Sequence, residues 1–306
     1  MNETVPTPQR SFWKKLFLSP HEPRLRAGWR LAIQTLLLVA LFIFAGIPIS
    51  LLYTLFRFKI TSVTSLALST LINLIAFTIS VFLARRFLDR RSFASLGLKM
   101  DRRLFPDLLA GILITFVMMG LVYLLMRAFG WIQFEGFAWP FRPPAVVLGQ
   151  SLLFLLIFTF VGWQEELLSR GYHLQTLASG INLTWGVLIS SAIFGALHLT
   201  NPNATWVSAA GIFFAGLFLA LGYLRTGQLW LSIGLHIGWN FFEGIVFGFP
   251  VSGFATFPII RISVSGPVLW TGGAFGPEAG LIILPALLIG ALLIILYTRS
   301  RIHSIP

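Results

Sequence analysis

The sequence predicts an all-α membrane protein, a polytopic bundle of about eight transmembrane helices. Of its 306 residues, 57% are hydrophobic and only 10% are charged, whereas soluble domains carry about 25% charged residues. The mean hydropathy is +0.86. The apolar residues lie in runs of about 20, which is the length that crosses a bilayer as a helix. A soluble domain with a large core is therefore excluded.

Eight apolar runs are expected to be spans. The first is too long for the apolar region of a signal peptide and lacks a small-x-small cleavage site, so we expect a true span there. Before it, Phe12, Trp13, Leu16 and Phe17 fall at helical spacing beside lysines, which fits either a helix in the headgroup region or a disordered tail. The predicted spans are 31–55, 63–84, 104–128, 145–170, 183–200, 206–224, 229–248 and 279–298.

Charge predicts the orientation and the partners. An even number of spans puts both termini on one side, and a cytoplasmic N-terminus then leaves 17 of the 22 Lys and Arg inside. The positive-inside rule therefore favours two cytoplasmic termini, and the plasma membrane is the expected location. The net charge of +12 lies mostly at span ends, so we expect anionic lipids as partners and no nucleic acid. The absence of cysteine excludes disulfides, thiol catalysis and cysteine metal sites.

Few ionisable groups fall within the predicted spans. Apart from Asp107 near the start of the third predicted span, the acidic ones are Glu165, Glu166 and Glu243, and the histidines are His198 and His236. Such groups are costly at membrane depth and mark functional sites by default, although Glu166 with Arg170 also fits a simple i,i+4 ion pair at a helix end.

Spacing brings these groups to similar depths. Glu165 lies 15 residues before Gly180, where a turn is predicted, and His198 lies 18 residues after it. In an antiparallel hairpin the two would then differ in depth by only about 5 Å. Asn240 follows His236 by four residues and shares its helix face, which Glu243 continues. A wet pocket inside the bundle is expected near these residues.

Three motifs in this order resemble the CPBP intramembrane proteases, a family of CAAX proteases and bacteriocin-processing enzymes that includes the type II CAAX prenyl endopeptidases. The motifs EExxxR, FxxxH and HxxxN are matched by Glu165-Glu166-Leu-Leu-Ser-Arg170, Phe194-Gly-Ala-Leu-His198 and His236-Ile-Gly-Trp-Asn240. The resemblance divides the chain into a basic cytoplasmic tail, N-terminal spans, a catalytic helical core, and a long loop with the last span (1–30, 31–130, 145–248 and 249–306).

The resemblance implies hydrolysis of peptide bonds within the membrane. By motif position, Glu165 is the expected base for water with help from His198, while His236 and Asn240 stabilise the oxyanion. Glu166 and Arg170 are expected to orient Glu165 and hold the helix. Zinc held by Glu165, His198 and His236 is the competing mechanism, although no HExxH motif is present. No cofactor is otherwise implied, and the role of Glu243 stays open.

Two other kinds of function compete with the protease. Buried Glu and His also form proton relays in transporters, which often show internal symmetry that this sequence lacks. A non-catalytic scaffold or immunity protein of the same fold is the other alternative, because a fold does not fix function. The sequence predicts a protein or peptide substrate at the membrane, and prenylated tails, bacteriocin precursors and signalling peptides fit it equally.

Overall fold

The chain folds into a bundle of apolar helices with one small sheet. The computed structural model describes residues 11–20, 22–56 and 62–301. Within this part of the chain, the helices are α1 Phe12–Phe17, α2 Ala27–Phe56, α3 Ser62–Leu83, α4 Leu104–Ala128, α5 Pro144–Glu166, α6 Gln175–Gly180, α7 Leu183–Leu197, α8 Trp206–Thr226, α9 Trp230–Asn240, α10 Val268–Thr271 and α11 Ile283–Tyr297.

Each predicted span coincides with one of these helices, and the predicted all-α membrane bundle is confirmed. Six of the described helical segments are long and apolar enough to cross a membrane. The helices α9 and α11 are shorter, and α9 is buried along its whole length. The protein is therefore a multi-pass integral membrane protein, with α9 enclosed by the longer helices.

The helix that begins with α5 continues beyond its predicted end. A π-helical segment, Leu167–Leu174, follows α5 directly and leads into α6, so the helical run reaches Gly180 rather than residue 170. Every residue of this π segment is buried. The turn predicted near Gly180 is found there, and Asn182 caps α7 by accepting a hydrogen bond from the Trp185 N–H.

Two glycines let α9 pack directly on α4. A Cβ on Gly111 would lie 2.4 Å from the Leu235 backbone nitrogen, and one on Gly234 would lie 2.2 Å from the Leu108 carbonyl oxygen. Only glycine permits so close an approach, as is common between membrane helices. This contact fixes α9, which carries His236 and Asn240, in the centre of the bundle.

Ion pairs tie the N-terminal segment to the connector after α3. Asp89 is fully buried and pairs with Arg30, with Arg85 at 3.1 Å and with Arg24 at 3.4 Å. Farther out on the chain, α1 contains no buried residue. The predicted short helix is therefore present, and its contact with lipid stays a prediction.

The loop after α9 has more order than its sequence indicated. Strand β1, Ile132–Phe137, pairs antiparallel with β2, Ile260–Val264, and α10 follows. No periodic pattern in the sequence predicted β2, because a strand in a two-stranded sheet depends on its partner strand more than on its own sequence. The division into functional parts along the chain stays a prediction.

Candidate active site

Three of the predicted site residues meet inside the bundle. Glu165 lies at the end of α5, His198 lies just after α7, and His236 lies within α9. The Glu165 Oε2 atom is 3.8 Å from Nε2 of His198 and 3.8 Å from Nε2 of His236. The similar depth that the spacing predicted for Glu165 and His198 therefore agrees with the fold.

Glu166 contacts this cluster through His236. Its Oε1 atom accepts hydrogen bonds from Arg170 Nη1 at 2.7 Å and from His236 Nδ1 at 2.9 Å, and its side chain is fully buried. Arg170 is equally buried, donates to the Gly216 carbonyl oxygen at 2.9 Å and lies 4.4 Å from the centre of the Phe194 ring. The predicted i,i+4 pair is present, but Glu166 contacts His236, a contact that the sequence did not predict.

A backbone contact determines which ring nitrogen of His198 carries the hydrogen. Its Nδ1 atom lies 2.8 Å from the Phe194 carbonyl oxygen, which can only accept, so Nδ1 carries the hydrogen. The Nε2 atom is therefore free to accept a proton on the side of Glu165. Glu165 is 24% exposed, and its Oε2 atom has no hydrogen-bond partner among the residues that the structure describes. This arrangement suits a water molecule that gives up its proton.

A cavity of about 400 Å³ opens beside these groups. Asn240 lines it together with Glu165 and both histidines, and Asn240 is itself only 6% exposed. The remaining wall is mostly apolar and comes from α3, α5 and the loop after α9. An amide and an imidazole that line one cavity are groups of the kind that can bind a developing oxyanion.

Glu243 lies outside this cluster. It is fully buried, its carboxyl lies beside that of Glu278, and neither of its oxygens has a hydrogen-bond partner in the described part of the chain. Glu278 accepts from the Trp239 indole at 2.9 Å and from the Ser252 hydroxyl and N–H at 2.7 and 3.1 Å. Two carboxyls in contact repel each other when both are charged, and Glu278 accepts the short hydrogen bonds, so we expect Glu243 to be the protonated member of the pair.

No feature of the sequence predicted the pairing of Glu243 with Glu278. Glu278 lies in the loop between the last two predicted spans, where no motif marks it. Its contact with Ser252 shapes the site, because Ser252 lines the cavity. Only the fold brings this loop into contact with α9, through the hydrogen bond from Trp239 to Glu278.

The predicted zinc ligands do not close around a metal position. Both imidazoles have a free Nε2 and a partner on Nδ1, the pattern that zinc ligands share. Ligand atoms of tetrahedral zinc stand about 3.4 Å apart, however, and both Glu165 contacts are longer. Throughout the described ranges, no group of three or more His, Asp or Glu side chains is placed to hold a metal ion.

A bundle of apolar helices around a buried carboxylate–imidazole cluster defines an integral membrane protein with an internal polar site. Residues 147–242 match the family model for type II CAAX prenyl endopeptidase Rce1-like proteins. This match confirms the family that the three motifs indicated, and the matched region contains all three. No curated protein matches the chain. The matched family is one of proteases, which act on proteins or peptides, and the matched region covers about a third of the chain.

Proposed function

We propose that the protein hydrolyses peptide bonds in membrane-associated substrates, either lipidated or leader-bearing, with a water molecule activated by Glu165 and His198. The observation that carries this proposal is the meeting of Glu165 Oε2 with two imidazole Nε2 atoms at 3.8 Å, beside a cavity inside an apolar bundle. A general base must be reachable by water, and Glu165 is the partly exposed member of the glutamate pair.

In the first step, a water molecule between Glu165 and His198 transfers a proton to the Glu165 carboxylate. Its oxygen bonds to the carbonyl carbon of the substrate, and the carbonyl π electrons move to the oxygen. The Asn240 amide and His236 Nε2–H donate hydrogen bonds to that oxyanion. This donation requires His236 to carry hydrogens on both nitrogens, and the Glu166 carboxylate on Nδ1 favours that state.

In the second step, the electron pair on the oxyanion re-forms the carbon–oxygen double bond, and the carbon–nitrogen bond breaks with its electron pair staying on the nitrogen. That nitrogen takes up the proton held by Glu165, directly or through Nε2 of His198. The products are a carboxylic acid and an amine, and Glu165 returns to its carboxylate form. Glu166 and Arg170 do not take part in the bond changes; they hold His236 in place.

The proposed setting follows from charge. Both termini are cytoplasmic, the membrane is the plasma membrane, and the basic residues at the span ends contact anionic lipids. The mechanism that we propose needs no metal. Glu165 then acts as a base and not as a ligand.

A comparison of membrane proteomes tests the function. Cells that carry the Glu165→Ala variant should accumulate an uncleaved precursor that cells with the wild-type protein process. Metal analysis of the purified protein should find no stoichiometric zinc, and full turnover should survive chelation. One zinc per chain that His198→Ala removes, with activity lost on chelation, would establish the metal mechanism instead. Identical proteomes would favour a scaffold or a transporter.

A further inference from the structure

One face of α3 forms the wall of the cavity opposite the catalytic cluster. The cavity-lining residues of this helix are Leu66, Ser69, Thr70, Asn73 and Phe77. Their spacing of three and four residues places them on a single helix face. On the other side of the helix, Ile75 and Ile79 are exposed at 51% and 39%. The helix α3 thus separates lipid from the cavity.

This wall carries polar groups that the fold does not use. Asn73 lies near the middle of a predicted span, and its amide has no hydrogen-bond partner among the described residues. Thr70 is 4% exposed, and Gln164, which lines the same cavity from α5, is 3% exposed with an unpartnered carbonyl oxygen. A buried polar atom without a partner, such as the Gln164 carbonyl oxygen, is costly, so its placement beside the polar side chains of Thr70 and half-buried Asn73 indicates a ligand that supplies the partners.

The chemistry of the wall identifies the class of that ligand. Side-chain amides offer a donor and an acceptor together, which complement the C=O and N–H of a peptide main chain. Among the residues that the structure describes, no lysine or arginine lines the cavity, and Glu165 is its only acidic lining residue. The wall formed by α3 and Gln164 therefore offers an anionic headgroup no cation, and the histidines are the only basic side chains that these residues present to the cavity. The apolar remainder, which includes Phe154, Ile157 and Phe158, suits uncharged side chains.

The spacing of the amides fits an extended chain. Trp163 Nε1 donates to Thr78 Oγ1 at 3.1 Å, which fixes how α5 lies against α3. With one span between them, these two helices run in the same direction. Gln164 and Asn73 then lie about six residues, or about 9 Å, apart along the helix axes. An extended peptide covers that distance in about three residues.

We infer that Thr70, Asn73 and Gln164 form a subsite that binds the main chain of an extended, uncharged substrate segment. Gln164 adjoins Glu165, so Asn73 binds the substrate about three residues from the cleaved bond. This inference rests on the proposed function and specifies its substrate class. Asn73 and Thr70 lie outside the region that the family model matches.

Kinetics with a defined peptide test the subsite. The probe is an acetylated and amidated fluorogenic peptide of uncharged residues, chosen from a library by wild-type cleavage. Asn73→Leu preserves side-chain size and should raise KM about tenfold with little change in kcat, because one buried hydrogen bond is lost. Methylation of the main-chain nitrogen three residues from the cleaved bond should cost the wild type about the same factor and cost Asn73→Leu nothing further.

Two results would overturn the subsite. One is an unchanged KM in Asn73→Leu; the other is equal sensitivity of both proteins to N-methylation. The Ile75→Ala variant on the lipid side of α3 is the matched control and should keep wild-type kinetics. Thermal unfolding of each variant separates a loss of binding from a loss of folding.

A second measurement does not depend on turnover. Because the chain has no cysteine, Asn73→Cys and Ile75→Cys each introduce a single thiol. An uncharged peptide whose single cysteine is activated as a mixed disulfide with 2-thiopyridine should exchange with the thiol at position 73 and not with that at 75, releasing 2-thiopyridone, and the acetylated, amidated peptide should compete. Displacement by phosphatidylglycerol vesicles instead would assign the wall to lipid. Disulfide capture at position 73 without hydrolysis by the wild type would support the subsite and contradict the proposed protease activity. Hydrolysis without selective capture would support the protease activity and contradict the subsite.

Discussion

Replacement of Glu166 by glutamine should damage both stability and turnover. The substitution keeps the shape of the side chain but removes the charge that Arg170 and His236 share at 2.7 and 2.9 Å. Arg170 is 1% exposed, so its guanidinium would be left buried without an anion. Breaking one side of a buried ion pair costs about 3–5 kcal/mol.

The contacts that remain place the expected loss at the lower end of this range. Arg170 keeps the Gly216 carbonyl oxygen and the Phe194 ring, and contacts of these kinds contribute about 1 kcal/mol each. A loss of about 3 kcal/mol corresponds to a fall in melting temperature on the order of 5–10 °C. Turnover should also fall, because His236 loses the anion that favours its doubly protonated, hydrogen-donating form.

A double variant separates the two effects. Glu166→Gln combined with Arg170→Met leaves no buried charge unpaired, so thermal unfolding in detergent should return toward the wild-type temperature. Peptide hydrolysis should not return, because His236 still lacks its anionic partner. A double variant that regains both stability and turnover would refute a role for Glu166 in holding His236. An unchanged melting temperature in Glu166→Gln alone would refute the buried ion pair.

Three further predictions concern other parts of the molecule. Asn240→Ala should lower kcat about 10²–10³-fold with an unchanged melting temperature if its amide binds the oxyanion, and a smaller kinetic effect would remove it from that role. Glu278→Ala leaves the Trp239 and Ser252 donors unsatisfied and should cost about 3 kcal/mol in unfolding free energy. Glu243→Gln mimics the protonated carboxyl and should change stability little. A stable Glu278→Ala with a destabilised Glu243→Gln would show that Glu278 carries the proton instead. Reporter fusions at the two termini should both read cytoplasmic, and a C-terminus on the opposite side would exclude an even number of spans.

Hydropathy was sufficient to predict the long helices. The span at 104–128 coincides with α4, because a run of apolar residues in a membrane must satisfy its backbone within a helix. The helical run that contains the fourth predicted span continues ten residues beyond residue 170, although the apolar content already falls at Glu165. Its continuation depends on burial of Arg170 and its neighbours against other helices, which no local pattern records.

The candidate site was predictable in part for the same reason. Residue spacing along a hairpin gives the relative depth of Glu165 and His198, so their proximity followed from the sequence. The contact between Glu166 and His236 joins residues 70 positions apart and depends on how α9 packs, which the sequence did not specify. The Glu243–Glu278 pair and the α3 wall of the cavity depend on tertiary packing in the same way.

The measurement that bears most directly on the central claim is hydrolysis of one peptide by Glu165→Gln, set beside Glu166→Gln. Glutamine at position 165 cannot accept a proton from water, and the side chain makes no buried ion pair with Arg170. Turnover should therefore fall about 10²–10⁴-fold, while the melting temperature and peptide binding stay at wild-type values. Near-normal hydrolysis by Glu165→Gln, together with a well-folded and inactive Glu166→Gln, would assign the base to Glu166 and contradict the mechanism.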